Sequence, residues 1–374
     1  MQRSAFRPFL GLLASAALFA ACSDMPTQND AVVDAKKSPL PPPPAPTTDT
    51  RPFYAGAYLG DAASTPENIG AGITAFAQRS GKRPSLVKTF HDLRCDWSSV
   101  GWCGRLARQV DAAGATNYLA VDLRWSGAPA TGLLDAINAG QADATLTQMA
   151  RDFRAFGRPV LLEPGWEMNG NWNYAWQGAL NGGEAGGPAR FVQAWRRMVD
   201  IFRREGATNI RWVWNPNVGN PVAYAAGTSH WNWYANYYPG ATYVDYIGAH
   251  GFNAPRVWGG SWKSFGEMFD GTSAEHMLSD MAARFPGKPI LVGEFATEEG
   301  TGTAKATWIK DAYAALKANP AVVGAVWFDA NKEADWRIDS TTASLDAFRA
   351  AMSDARVQTA FVSTSVPAGQ LAVR

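Results

Sequence analysis

Charge imbalance is what this chain most lacks. Its 374 residues hold 34 Lys+Arg and 33 Asp+Glu, so no surplus of cations recruits a nucleic acid. Histidine and cysteine are scarce, at four and three. None of them stands at a zinc-motif spacing, and there is no H-E-x-x-H helix, phosphate-binding P-loop or Gly-x-Ser-x-Gly elbow. We therefore expect neither a metal nor an organic cofactor. The apolar run 9–21 follows Arg3 and Arg7. It is too short to span a bilayer comfortably and, with its positive flank, reads as an export signal over residues 1–22.

Tryptophan is abundant, at 16. Indole faces are large, rigid and amphipathic, so they serve both core packing and stacking on sugars. Residues 23–50 read as a linker, because Ser38-Pro39-Leu40-Pro41-Pro42-Pro43-Pro44-Ala45-Pro46 favours extended polyproline with nothing to bury. From residue 51 the pattern becomes regular. Apolar segments with strand character occur at 53–58, 85–90, 118–123, 160–162, 210–214, 244–249, 290–293 and 323–328. Helix-compatible stretches separate most of them, most clearly 144–156, 188–204, 276–285 and 303–318. Eight such strands alternating with helices over 51–350 predict an α/β chain folded as a (β/α)8 TIM barrel. In the competing doubly wound sheet, the dinucleotide-binding form carries a Gly-rich fingerprint after its first strand. Leu59-Gly60-Asp61-Ala62-Ala63 lacks it. Residues 351–374 read as a weakly structured tail.

Two segments share a grammar. Leu161-Leu162-Glu163-Pro164-Gly165-Trp166-Glu167 and Pro289-Ile290-Leu291-Val292-Gly293-Glu294 each read as a buried strand delivering a carboxylate at its C-terminal end. In a barrel those ends converge on one face. Glu167 after strand four and Glu294 at the end of strand seven then lie across one mouth, as a pair able to cleave a glycosidic bond. Trp172, Trp176, Trp214 and Trp327 are candidates for stacking on sugars, or for barrel packing. Asn215 and Asn217 offer amides to sugar hydroxyls, or turn chemistry around Pro216. His250 at a strand end, and His91 with Asp92 after strand two, are substrate contacts or satisfied structural residues. Glu163 is a partner of the acid or an alternative to it.

Glu167-Met168-Asn169-Gly170-Asn171-Trp172 resembles the acid/base motif of glycoside hydrolase family 26, which holds β-mannanases and related β-glycanases. Gly293-Glu294-Phe295 resembles its nucleophile strand, and Val326-Trp327-Phe328 with Asp335-Trp336-Arg337-Ile338 its eighth strand and following loop. The resemblance covers roughly 51–350. It implies a (β/α)8 barrel and a retaining endo-hydrolase, with Glu167 as general acid/base and Glu294 as nucleophile. This chain departs from the family's mannanases around the cleaved bond. Trp166 stands in place of the usual histidine, Glu163 in place of an arginine, and Phe252 in place of a tyrosine that contacts the nucleophile. Mannan, mixed-linkage β-glucan, β-1,3-xylan and an exopolysaccharide all remain open as substrates. A glycan-binding barrel without catalysis and a polysaccharide lyase are the rival functions.

Leu18-Phe19-Ala20-Ala21-Cys22 resembles a bacterial lipoprotein signal. That implies lipidation of Cys22 and, with Ser23 next, an outer-membrane destination. The alternative is secretion after cleavage near Ala21. In an exported chain Cys95 and Cys103 meet an oxidising compartment. They form a bridge there, worth roughly 2–3 kcal/mol on the chain-entropy model, or stay as two thiols.

Overall fold

The computed structural model describes residues 49–219, 230–271 and 277–363. The chain divides into residues 1–49 and 50–374, and every described helix and strand belongs to the second unit. The expected signal segment, Cys22 and most of the linker lie outside the described residues.

The strand–helix alternation runs β1 (Phe53–Tyr58), α1 (Ile69–Ser80), β2 (Leu86–Asp92), α2 (Trp102–Ala112), β3 (Thr116–Asp122), α3 (Leu133–Asn138), α4 (Asp143–Phe156) and β4 (Val160–Pro164). It continues through α5 (Gly187–Arg204), β5 (Ile210–Trp214), β6 (Tyr246–Ile247), β7 (His250–Asn253), α6 (Pro255–Trp258), α7 (Phe265–Phe269), α8 (Met277–Arg284) and β8 (Ile290–Thr297). α9 (Ala304–Ala318), β9 (Val322–Phe328), α10 (Thr342–Met352) and β10 (Val357–Gln358) complete it. β1 pairs in parallel with both β2 and β9, so the sheet closes on itself. The fold is a closed eight-stranded (β/α)8 barrel.

The helices form because their apolar residues recur on one face. α5 buries Phe191, Ala194, Trp195, Met198, Val199 and Phe202, the three-and-four spacing of an amphipathic helix laid against a barrel. Inside the barrel the period is two. Tyr54, Leu86, Tyr118, Leu161, Val213, Tyr246, Leu291 and Val326, one side chain from each barrel strand, form a buried cluster of their own. Two residues further along β2, β4 and β5, the same inward phase carries Lys88, Glu163 and Asn215, all fully buried. The plug is therefore apolar below and polar above.

Two strands depart from the expected simple segments. The sixth barrel strand is split into β6 and β7 around Gly248-Ala249. A Cβ at Gly248 would lie 1.9 Å from the Leu291 carbonyl oxygen and 2.2 Å from Asn215 Oδ1, so only glycine lets the strand pass there. β8 extends beyond 290–293 to Thr297, and its register with β9 shifts between Val292 and Phe295. A bulge of this kind re-aims a side chain. Val292 and Phe295 belong to the helix-facing core, while Glu294 reaches the polar layer over the plug.

The expectation of a weakly structured tail from 351 is corrected over residues 353–363. β10 pairs with β1, and the Phe361 ring packs on Tyr54 at 4.7 Å and Tyr246 at 5.9 Å. Tyr54 donates to the Val362 carbonyl at 3.1 Å. This segment covers the end of the plug opposite the site. Phe361→Ala should destabilise the domain by about 1–3 kcal/mol, less than a fully buried Phe→Ala. The expected readout is a melting temperature lower by a few degrees.

Candidate active site

Glu167 sits in the turn that follows β4, with φ 51°. A glutamate rarely adopts this left-handed conformation, and such strain persists only where neighbours over-determine it. Its N–H donates to the Asn215 carbonyl at 2.9 Å, and its carbonyl accepts from Gly170 N at 2.8 Å and Gln177 Nε2 at 3.2 Å. The backbone is thereby tied to the end of β5 and to the loop beyond it. Asn169, which is fully buried, braces the same region by donating to the Asn217 and Gly219 carbonyls and accepting from Asn217 N.

Glu294 reaches the same space from β8. The two carboxylates meet over one imidazole nitrogen. His250 Nδ1 lies 3.1 Å from Glu167 Oε1 and 3.7 Å from Glu294 Oε2. These two oxygens are therefore separated by no more than the sum of those distances. On its other side His250 Nε2 contacts Glu163 Oε1 at 2.8 Å. Asn215 Nδ2 donates to that same Glu163 oxygen at 2.8 Å and to Tyr118 Oη at 2.6 Å.

Lys88 is the centre of the set. Its ammonium pairs with Glu163 Oε2, lies 2.7 Å from Glu294 Oε1 and donates to the Gly293 carbonyl at 3.2 Å. It stands 4.6 Å from the Tyr118 ring centroid, a cation–π contact strengthened by burial. Burial opposes ionisation of Glu163, but Lys88 and His250 outweigh it and hold the carboxyl down at about 2. Burial also disfavours charge on His250. The Glu294 and Glu163 carboxylates prevail over it and over Lys88, lifting the imidazole to about 9. Glu294 is raised, by burial first, with His250 and Lys88 pulling against that.

Gly293 is what lets these groups stand together. A Cβ there would lie 2.2 Å from Asn215 Nδ2, 2.6 Å from His250 Nε2 and 2.6 Å from Tyr118 Oη. Glu163, His250 and Glu294 also present ligand atoms within 4.8 Å of one another, and His91, Cys95 and Cys103 do so elsewhere. An ammonium already neutralises the first group, and the sulfurs of the second are joined in a disulfide.

The structure brings together Glu163, Glu167, His250, Asn215 and Glu294. It also decides among readings that the sequence left open. Glu163, Asn215 and His250 are fully buried and hydrogen-bonded to one another beneath the carboxylates. Trp176 is 2% exposed and donates to the Trp166 carbonyl at 2.7 Å, leaving no free face for a sugar. Trp214 is buried among Tyr234, Tyr238 and Phe285. Trp327 is buried among Phe295, Trp308 and Phe348, with its indole N–H on the Trp336 carbonyl at 2.8 Å. Trp214 ends β5 and Trp327 is the last but one residue of β9, each with its side chain in the helix-facing phase. His91 packs on Trp97 beside the disulfide, and Asp92 is paired with Arg94.

An aromatic arc remains at the mouth. Trp172 meets Tyr174, Tyr174 meets Trp166, Trp166 meets Phe90, Phe90 meets Phe328, and Phe328 meets Phe252, with centroids 5.3–6.4 Å apart. Beyond Phe252 stands Trp258, 58% exposed. Lys88, Tyr174 and Trp258 were missed in the sequence. Lys88 had a signal, being a charged residue at an inward position of β2; the other two had none.

Residues 141–274 match Glycosyl hydrolase family 26. The chain is 35% identical over 307 residues to Endoglucanase H of Acetivibrio thermocellus, a match covering 79% of this chain and 30% of that protein. The segment that holds Glu167 and Asn215 is thus similar to glycoside hydrolase family 26, and the chain spans less than a third of the length of this curated relative. Its fold is shared with a modular endo-β-1,4-mannanase from Cellulomonas fimi, at TM-score 0.59 and 20% identity, covering 82% of this chain and 72% of the other. The catalytic domain of a Bacillus sp. JAMB-750 family 26 endo-β-1,4-mannanase superposes at TM-score 0.57 and 16% identity, covering 83% and 87%. In this barrel the carboxylates of Glu167, past β4, and Glu294, within β8, approach one imidazole nitrogen.

Gly293→Ala in this domain should displace Asn215, His250 or Tyr118, costing about 1–3 kcal/mol as overpacking does. Urea unfolding should show a lower midpoint at an unchanged m-value, together with a loss of hydrolysis larger than the loss of stability explains.

Proposed function

We propose that this chain is a retaining endo-β-glycosidase that hydrolyses internal linkages of a polysaccharide, with Glu167 as general acid/base and Glu294 as nucleophile. The observation that carries this reading is the approach of both carboxylates to His250 Nδ1, at 3.1 and 3.7 Å. The separation this permits barely reaches the roughly 6.5–9.5 Å of inverting enzymes and includes the roughly 5–5.5 Å of retaining ones. Glu294 Oε2, the oxygen not engaged by Lys88, attacks the anomeric carbon as the glycosidic C–O bond breaks and the leaving oxygen takes the Glu167 proton. In the second step Glu167, now a carboxylate, takes a proton from water. The water oxygen attacks the anomeric carbon and releases the Glu294 carboxylate.

The aromatic arc supports a polymeric substrate, because its part-exposed members, Phe90, Trp172, Tyr174, Phe252 and Trp258, offer ring faces to successive sugars. We favour a β-glucan over mannan. A relative named an endoglucanase matches along most of the chain, and the histidine, arginine and tyrosine usual in the family's mannanases are Trp166, Glu163 and Phe252 here. Against a lyase, the cations of the site, Lys88 and His250, are fully buried and out of reach of a sugar carboxylate. We also propose export with lipidation of Cys22 at the outer membrane, supported by the run 9–21 and Cys22 itself. Mass spectrometry of the mature N-terminus should find a diacylglyceryl cysteine; an unmodified N-terminus near residue 22 would show plain secretion instead.

The test is product release from β-glucans, β-mannans, β-xylans and bacterial exopolysaccharides, beside Glu167→Gln and Glu294→Gln. Each substitution should lower kcat by at least roughly 10²–10⁴-fold, and NMR of the first product should show the β-anomer. An α-anomer would sink the retaining mechanism, and activity surviving both substitutions would sink the assignment. Because burial raises Glu294 against the pull of His250 and Lys88, the acid limb of kcat/KM should lie above the ordinary glutamate value. Activity should fall as pH drops through it, since the nucleophile must be ionised.

A further inference from the structure

We infer that Lys88 is the positioning residue that keeps Glu294 ionised, through a buried ion pair to its Oε1. The inference rests on Glu294 being the nucleophile.

Lys88 could instead be present only to neutralise Glu163. The contacts decide against that. Glu163 has two further donors, His250 Nε2 and Asn215 Nδ2, each at 2.8 Å. Glu294 has none as close as Lys88 among the described residues. The next cation, His250 Nδ1, is 3.7 Å away and nearer to Glu167. Phe252, in the place of a tyrosine, cannot donate. The ammonium donates to Glu163 and to the Gly293 carbonyl, stands 3.2 Å from His250 Nε2, and forms an ion pair with Glu294 Oε1, an oxygen with no hydrogen-bond partner among the described residues. Lys88 therefore supplies the nearest opposite charge to Glu294, on the side of Oε1, leaving Oε2 for the sugar.

The charges around Glu294 come from every side: Lys88 on β2, Glu163 on β4, Glu167 after β4 and His250 on β7. Tyr118 on β3, Tyr58 on β1 and Tyr174 in the loop after β4 also feel its charge. When Glu294 becomes an ester it loses one negative charge, and Glu167 gains one by giving up its proton, so the charge of the pair is the same at both stages.

The experiment compares wild type with Lys88→Met, Glu163→Gln and the double variant, using the polymer cleaved in the panel. Carboxyl ¹³C titration of Glu294 runs in parallel and is readable whether or not any polymer is cleaved. Lys88→Met should raise the Glu294 titration and the acid limb of kcat/KM together, by roughly 1–3 units. Below the limb the rate should fall by about 10–1000-fold, with KM little changed. Glu163→Gln alone should move both downward. The double variant, which keeps charge parity and guards against a fold lost in the single one, should remain slow with a raised limb. A double variant restored to wild-type rate and pH profile would show that Lys88 serves only Glu163, and so would an unmoved Glu294 titration in Lys88→Met. Either result overturns the inference while leaving the assignment of Glu294 intact. Glu294→Gln retaining full activity would instead remove the assignment on which it rests.

Discussion

The buried ion set around Lys88 is the constraint on which the mouth of the barrel depends. Fully buried charges persist only when partners and hydrogen bonds satisfy them. Here an ammonium, an imidazole and three carboxylates answer one another across β2, β4, β7 and β8. Because those strands are far apart in sequence, the set forms only when the barrel has closed. Removing one member leaves another buried and unpaired, so the cluster ties the chemistry of the site to completion of the fold.

The surrounding architecture serves that cluster. The apolar plug, one side chain from each barrel strand, gives it a dry floor on which electrostatic interactions are strong. Gly248 and Gly293 supply the room that side chains at those positions would take. The register shift in β8 and the left-handed turn at Glu167 deliver the two outer carboxylates to the same imidazole. Strain at Glu167 is held by backbone hydrogen bonds to β5 and to the loop after β4. Rigid elements thus place the two carboxylates, and a row of aromatic rings lies beside them.

The departures from the family's mannanases also fit together. Glu163 replaces a cation with an anion in the inward phase of β4, and Lys88 on β2 supplies a compensating cation. Phe252 lacks a hydroxyl, and Lys88 is the group that contacts Glu294. The polarity of the pocket is rearranged across strands, and each carboxylate keeps a partner.

Much was legible in the chain itself. The alternation of apolar segments with amphipathic stretches pointed to the barrel, because strand and helix periods are local properties of side-chain direction. Glu167 and Glu294 were legible for the same reason, as carboxylates breaking apolar runs, although Glu294 stands within β8 rather than at its end. The fates of Trp214 and Trp327 were not. An indole at a strand end faces the mouth or the helix layer according to one residue of register, which pairing decides and composition does not. Nor were the partnership of Lys88 with Glu163 and Glu294, the bulge that turns Glu294 inward, or the segment after residue 352 that seals the plug. These rest on contacts between strands remote in sequence. Residue order settled which groups are present and at which strand ends they stand. Which of them touch was left to the closed barrel, because only closure sets the distances on which charge interactions depend.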